Sequence, residues 1–177
     1  MPGSNNPWKT VGSRVIYESP WFNLYEDSVI KPNGEPGIYA YPKSPPFVLI
    51  VGYDKGRFVM VRQYRYPLQR VMIEVPGGKI DDGESPLEAA KREFAEETGL
   101  AAAQWGKLGE LHDPNHATVF LAEDLTAAGH DKMAEEGISE TIKVTWVDID
   151  RMIARNELTD SKTLACLLLF RQYRADK

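Results

Sequence analysis

Alternating apolar and polar positions dominate the first part of the chain. Residues 13–18 and 22–30 carry this period-two pattern and predict strands, and Lys31-Pro-Asn-Gly34 predicts the turn of a hairpin. At residues 41–46, YPKSPP places three prolines in six positions. The pattern then becomes runs rich in Val, Ile, Phe and Met at 47–52, 57–64 and 71–75, which predict strands with more burial. A helix follows, with Ser85 as N-cap, Pro86 at its first position, Glu88 closing a capping box and Gly99 as the stop. Further strands are predicted at 117–122 and 141–147, and helices at 150–157 and 161–173. Strands and helices mix without regular alternation, so the pattern predicts an α+β sandwich. The prolines split the chain in two. Residues 1–45 form a small N-terminal sheet, too small to be stable alone, which must pack on the rest or on another subunit. Residues 46–177 form the main domain.

Composition narrows this little. Of 177 residues, 42% are hydrophobic and 27% charged, which fits a soluble globular chain. No apolar run reaches eighteen residues and the N-terminus MPGSNNPWKT is polar, so the expectation is a cytoplasmic protein with no membrane contact. Cys166, the single cysteine, lies in LACLLLF and reads as a buried thiol in a reducing compartment. A net charge of −5 argues against a nucleic-acid backbone binder, yet leaves an anionic substrate open if a metal intervenes.

The helix over 86–98 carries an anomaly. About 100° per residue puts Leu87, Ala90 and Phe94 on one apolar stripe, with Glu93 and Glu97 a turn apart on its flank and Glu96 beyond Glu93. Like charges at that spacing repel by roughly 3 kcal/mol per pair at an effective dielectric near 20. Glu96 and Glu97 also sit in the last turn, where the helix dipole disfavours anions. Arg92 can neutralise one glutamate, not three. Two readings stand: a solvated acidic face, or an oxygen-rich site for a hard divalent cation such as Mg²⁺ or Mn²⁺.

The longer pattern decides between them. GGKIDDGESPLEAAKREFAEETGL, residues 77–100, reads Gly78, five residues, Glu84, seven residues, Arg92-Glu93, an apolar Phe94, one residue, Glu96-Glu97, one residue, Gly99 and apolar Leu100. This resembles the complete signature of the Nudix hydrolases, and seven fixed identities arise by chance on the order of once in 10⁸ starting points. The resemblance implies a Nudix-like α/β/α sandwich with a mixed sheet and a Mg²⁺- or Mn²⁺-dependent hydrolase of nucleoside diphosphates linked to another moiety. It also implies roles: Glu93, Glu97, Glu96 and the Gly77 carbonyl as metal ligands, Arg92 orienting the glutamates, Glu84 bracing the loop, and Gly78 and Gly99 permitting turns.

VRQYRYPLQRVMIEVPGGKID, residues 61–81, is similar to the ADP-ribose pyrophosphatase branch. That likeness implies that Arg65 contacts substrate phosphate or ribose and that Glu74 lines the site. The residues themselves also allow a plain strand ion pair. In the branch an appended sheet forms a homodimer and presents aromatic residues to the base of the partner's substrate, which here points to Trp21 and Phe22. A glutamate from a late loop serves as general base; MAEEGISETIKVTW offers Glu135, Glu136 and Glu140, and proximity to the 141–147 strand favours Glu140, then Glu136. ELHDPNHATVFLAEDL is shorter than the branch's Ser-Pro-Gly loop and holds His112 and His116, which could touch phosphate or base. The expected substrate is ADP-ribose or a similar nucleoside diphosphate sugar. GDP-mannose, dinucleoside polyphosphates and nucleoside triphosphates remain as other substrate classes, and a non-catalytic nucleotide sensor as another function class.

Overall fold

A computed structural model describes residues 6–112, 115–129, 131–135 and 137–175. The chain divides into two compact units at Pro45/Pro46. The first is an antiparallel three-stranded sheet of β1 (Lys9–Glu18), β2 (Asn23–Ile30) and β3 (Pro36–Lys43), in that order. Its β2–β3 turn closes through Gly34 N–H to Lys31 O at 2.9 Å, with Gly34 at φ 87°, a left-handed value that suits glycine. Tyr25 and Tyr41, opposite in register, stack at 5.7 Å.

The second unit is built on a mixed six-stranded sheet. It contains β4 (Phe47–Asp54), β5 (Arg57–Arg65), β6 (Arg70–Glu74), β7 (Leu100–His112), β8 (His116–Ala127) and β9 (Ile138–Val144), with α1 (Pro86–Thr98), α2 (Trp146–Ala154) and α3 (Ser161–Ala175). The order is β6-β5-β4-β8-β7, with β9 paired to β5, and only β4 and β8 run parallel among these pairs. Alternation along the strands feeds two cores. Val48, Ile50, Val59, Phe120 and Ala122 meet Ala89, Ala90 and Phe94 of α1 on one face. On the other, Leu49, Val51, Phe58 and Met60 meet Ile149 and Met152 of α2 and Cys166, Leu167 and Phe170 of α3. The expected α/β/α sandwich is what the chain forms.

Three local differences have physical causes. Strand β7 escapes the period-two reading because LAAAQWGKLGELH is rich in Ala and Gly, weak strand formers. Its glycines make room for α3: a Cβ on Gly109 would lie 3.4 Å from Leu169 and one on Gly106 3.4 Å from Tyr173. The predicted 141–147 strand ends early because Thr145 caps α2 in a capping box with Asp148, so Trp146 and Val147 are helical despite their strand propensity. Finally, Leu87 is exposed, and the buried face of α1 runs through Ala89, Ala90, Phe94 and Glu97 instead.

Candidate active site

The sequence dictates the ends of α1. Ser85 accepts from the Glu88 amide, Glu88 accepts from Ser85 in return, and Gly99 ends the helix at φ 67°. Before it, residues 76–80 run beside β4: Ile50 N–H donates to Pro76 O and Val48 N–H to Gly78 O, both at 2.8 Å. Gly77, between them, faces the other way, and its amide donates to Glu97 Oε2 at 2.8 Å. Glu97 is thereby held on the core face of α1 at 4% exposure. This packing excludes side chains from the turn. A Cβ on Gly77 would meet Val48 O at 2.2 Å, and one on Gly78 would meet the Glu93 carboxylate at 2.3–2.4 Å.

Arg92 is the hub of the cluster. Its Nε and Nη2 grip the two oxygens of Glu84 at 2.9 and 2.8 Å, Nη1 reaches Glu93 Oε1 at 2.7 Å and Glu96 Oε2 at 3.4 Å, and Nη2 donates to Lys79 O at 3.0 Å. A bidentate guanidinium suits this bracing in a way a lysine would not. Hydrogen bonding from Arg92 holds Glu84 below the usual carboxylate range, while the same bonds raise Arg92. Glu84 also accepts from the Asp81 amide at 3.1 Å, so it ties loop and helix together.

A second cation was not foreseen. Lys132 donates its backbone amide to Glu96 O at 2.7 Å, and its ammonium contacts Glu96 Oε1, which raises the Lys132 pKa. Its only sequence signal was being the one lysine in an acidic loop. Four carboxylates, Glu84, Glu93, Glu96 and Glu97, against Arg92 and Lys132 leave the cluster net negative. The donor set is all oxygen, which fits a hard divalent cation, and the bare Cα of Gly78 is what leaves Glu93 its place.

Arg65 and Glu74 form a pair, with Arg65 Nε at 3.0 and 3.1 Å from the two Glu74 oxygens and Nη2 also in contact. These hydrogen bonds raise the Arg65 pKa, and Glu97 contributes to the field it feels. The plain ion-pair reading is therefore realised. It leaves Arg65 outward-facing, since its side chain is 42% exposed against 10% for Glu74.

The expected position of Glu140, just before a strand, requires a correction. It lies within β9, not in the loop before it, directly opposite Arg62 of β5, whose Nε is 2.7 Å from its Oε1. Phe58, Met60 and Val144 belong to the α2/α3 core and Val59 to the α1 core, so alternation puts Arg62 and Glu140 on the face away from α1. Glu135 lies in the loop that carries Lys132, and its charge reinforces that of Lys132. Glu136 is outside the described residues. Trp21 and Phe22 occupy the tight β1–β2 connection, where the Ser19 hydroxyl accepts from both their amides. His112 and His116 face each other at the end of the β7–β8 hairpin.

A buried, arginine-braced carboxylate helix over a glycine turn, set in a mixed-sheet sandwich, defines a phosphoanhydride hydrolase fold whose site suits a divalent cation. The chain belongs to the Nudix family: a family model described as NUDIX domain matches residues 43–167, and one described as nucleoside diphosphate sugar hydrolase N-terminal domain matches residues 8–41. An ADP-ribose pyrophosphatase of Bacillus subtilis (strain 168) is 33% identical over 162 residues, 88% of each chain. An ADP-ribose pyrophosphatase of Mycobacterium tuberculosis is 31% identical over 177 residues, 93% of this chain and 84% of its own. A methanol dehydrogenase activator of Bacillus methanolicus is 31% identical over 166 residues, 88% of each chain. A crystal structure described as an ADP compounds hydrolase shares the fold, with TM-score 0.79 and 20% identity over 94% of this chain and 93% of its own. Membership makes the chain a hydrolase of small nucleoside diphosphate derivatives. Among the described residues no helix is long and apolar enough to cross a membrane.

Proposed function

We propose that the chain hydrolyses the diphosphate of ADP-ribose, or of a similar nucleoside diphosphate sugar, with Mg²⁺ or Mn²⁺, releasing a nucleoside monophosphate and a sugar phosphate. The observation that carries the reading is the buried Glu97, tied to the Gly77 amide at one end of a braced carboxylate cluster within the field of the Arg65–Glu74 pair. The match of residues 8–41 to a nucleoside diphosphate sugar hydrolase segment and the two ADP-ribose pyrophosphatase relatives support the substrate class.

In this reading Glu93, Glu97, Glu96 and the Gly77 carbonyl hold the metal, which supplies neutralisation of the diphosphate and a more acidic attacking water. Arg92 fixes the carboxylates, so that no reorganisation is needed as charge develops. Arg65 turns its exposed edge to phosphate or ribose, and Glu74 holds the guanidinium plane in orientation. The proton acceptor is Glu135 or Glu136: Glu135 shares the loop that reaches α1 through Lys132, whereas Glu140 stands on the face away from α1. The N-terminal sheet forms a homodimer, and Trp21, 75% exposed, with Phe22 stacks on the base of the partner's substrate. The exposed Val11, Ile16, Tyr17, Ile38 and Tyr39 of the same sheet leave apolar side chains that a partner would cover. A cytoplasmic location is part of the same proposal.

One experiment tests the substrate reading. With Mg²⁺, the purified chain is assayed against ADP-ribose, GDP-mannose, NADH, diadenosine polyphosphates and nucleoside triphosphates. ADP-ribose or a near nucleoside diphosphate sugar should give the highest kcat/KM; faster turnover of a triphosphate or a diadenosine polyphosphate would overturn it.

A further inference from the structure

The end of the β7–β8 hairpin gathers a donor set unlike that of α1. Among the described residues, Glu110, His112 and His116 bring one ligand atom each within 4.8 Å of one another. All three are strand residues whose positions the sheet fixes. His112 and His116 are direct register partners, with ring centroids 4.9 Å apart, and Glu110 precedes His112 by two residues on the same face of β7. Glu110 Oε2 lies 3.9 Å from His112 Nε2 and 3.7 Å from His116 Nε2.

The two carboxylate oxygens are divided between tasks. Oε1 is taken by Lys107 Nζ at 2.5 Å, leaving Oε2 toward the imidazoles. The hydrogen bond from Lys107 holds Glu110 below the usual carboxylate range. Side-chain exposures of 72% for His112, 42% for His116 and 37% for Glu110 leave the trio open to a solvated ion.

We propose that Glu110, His112 and His116 form a Zn²⁺ site at the end of this hairpin, built from residues separate from the α1 glutamates. Two imidazoles and one carboxylate suit Zn²⁺ and its transition-metal neighbours, whereas the all-oxygen α1 set suits Mg²⁺. Tetrahedral Zn²⁺ with ligands at about 2.0–2.1 Å needs donor atoms roughly 3.3 Å apart. The carboxylate–imidazole separations of 3.7 and 3.9 Å reach this by small side-chain rotations, with the strand backbones in place. The fourth position is left to water. Bound there, the ion ties the last residue of β7 to the first of β8.

The test is metal titration of the full chain, followed by calorimetry with Zn²⁺ and by the visible absorption of Co²⁺ as a tetrahedral probe. The expected result is one site that millimolar Mg²⁺ does not displace. Glu97→Gln should retain it. The double substitution His112→Ala/His116→Ala should weaken it by more than the roughly 10–100-fold that loss of an outer partner costs. Circular dichroism of the metal-free double variant, unchanged from the parent, shows that lost binding is not lost folding; His116→Gln replaces it if the double variant does not fold. Absence of a tetrahedral Co²⁺ band, unaltered Zn²⁺ binding in the histidine variants, or its loss in Glu97→Gln each overturns the proposal.

Discussion

Glu97 and Glu140 are both glutamates with sequence-based claims to the active site, and the fold treats them in opposite ways. Glu97 lies on the core face of α1, 4% exposed, with Gly77 N–H on its carboxylate. Glu140 lies on β9, with a side chain 56% exposed and Arg62 opposite. The first position violates what a helix built for stability would choose; the second is an ordinary cross-strand ion pair. What separates them is the cost of the surroundings: only at Glu97 has the fold buried the charge, on a helix that carries further carboxylates, and set a glycine amide against it.

The largest expected effect breaks the first half of that contrast. Glu97→Gln keeps the shape and the acceptor for Gly77 N–H but removes the charge. Mg²⁺-dependent hydrolysis should fall by 10²–10³-fold or more, the scale of losing one preorganised electrostatic group, with the melting temperature little changed. Steady-state kinetics beside a thermal melt reads both; near-normal turnover sinks the metal-ligand assignment.

The glycines sharpen the contrast next. At Gly78 the atoms an added Cβ meets are the far end of the Glu93 side chain, at 2.3–2.4 Å, whereas at Gly77 they include the backbone oxygen of Val48 at 2.2 Å. Gly78→Ala should therefore displace a carboxylate, lowering kcat by about 10–100-fold for little loss of stability. Gly77→Ala should press on β4 and cost about 1–3 kcal/mol in denaturant titration. If both substitutions proved equal in stability and in rate, the turn would not be a cradle for Glu93.

These residues also show what was legible beforehand. The α1 cluster could be read because its partners are local: an i, i+4 spacing, an N-cap and a stop glycine lie within one signature, and the Glu84–Arg92 brace spans only eight positions. The α+β sandwich followed from runs of apolar residues, and its α/β/α layering from the resemblance of residues 77–100 to the Nudix signature. Strand β7 did not show, since its Gly106 and Gly109 are selected by contact with Tyr173 and Leu169, sixty or more residues away in the chain. Lys132 on Glu96 and Arg62 on Glu140 are likewise long-range pairings that no spacing rule contains. The misplacement of Glu140 came from one wrong boundary: with β9 assigned three residues late, a strand residue read as a loop residue.

Acid stability probes the brace with a smaller effect. Arg92 holds the folded-state pKa of Glu84 below its ordinary value, so the unfolded chain takes up this proton more readily. The resulting stabilisation is present above the unfolded pKa of about 4.3 and is lost as pH falls through the lower folded pKa. Glu84→Gln should therefore flatten the melting temperature against pH below about pH 4.3 relative to the parent chain. Identical acid slopes for the two proteins would mean that the guanidinium does not brace Glu84 in solution.

The smallest expected effect belongs to Glu140 and completes the comparison. Its ion pair with Arg62 has side-chain exposures of 56% and 41%, in the range where such pairs contribute only about 0–1 kcal/mol. Because Ile142 and Val144 fix β9 in register against Met60 and Phe58, the carboxylate has no rotamer that carries it through the sheet to the α1 face. Glu140→Gln should therefore leave kcat within about twofold and its pH profile unaltered, while general-base loss costs roughly 10²–10⁴-fold. Glu135→Gln/Glu136→Gln, measured in the same assay, is the variant expected to show that larger loss. Should the large loss and a flattened acidic limb appear with Glu140→Gln instead, the base assignment would return to β9, and the strand would have to leave its pairing with β5 during turnover.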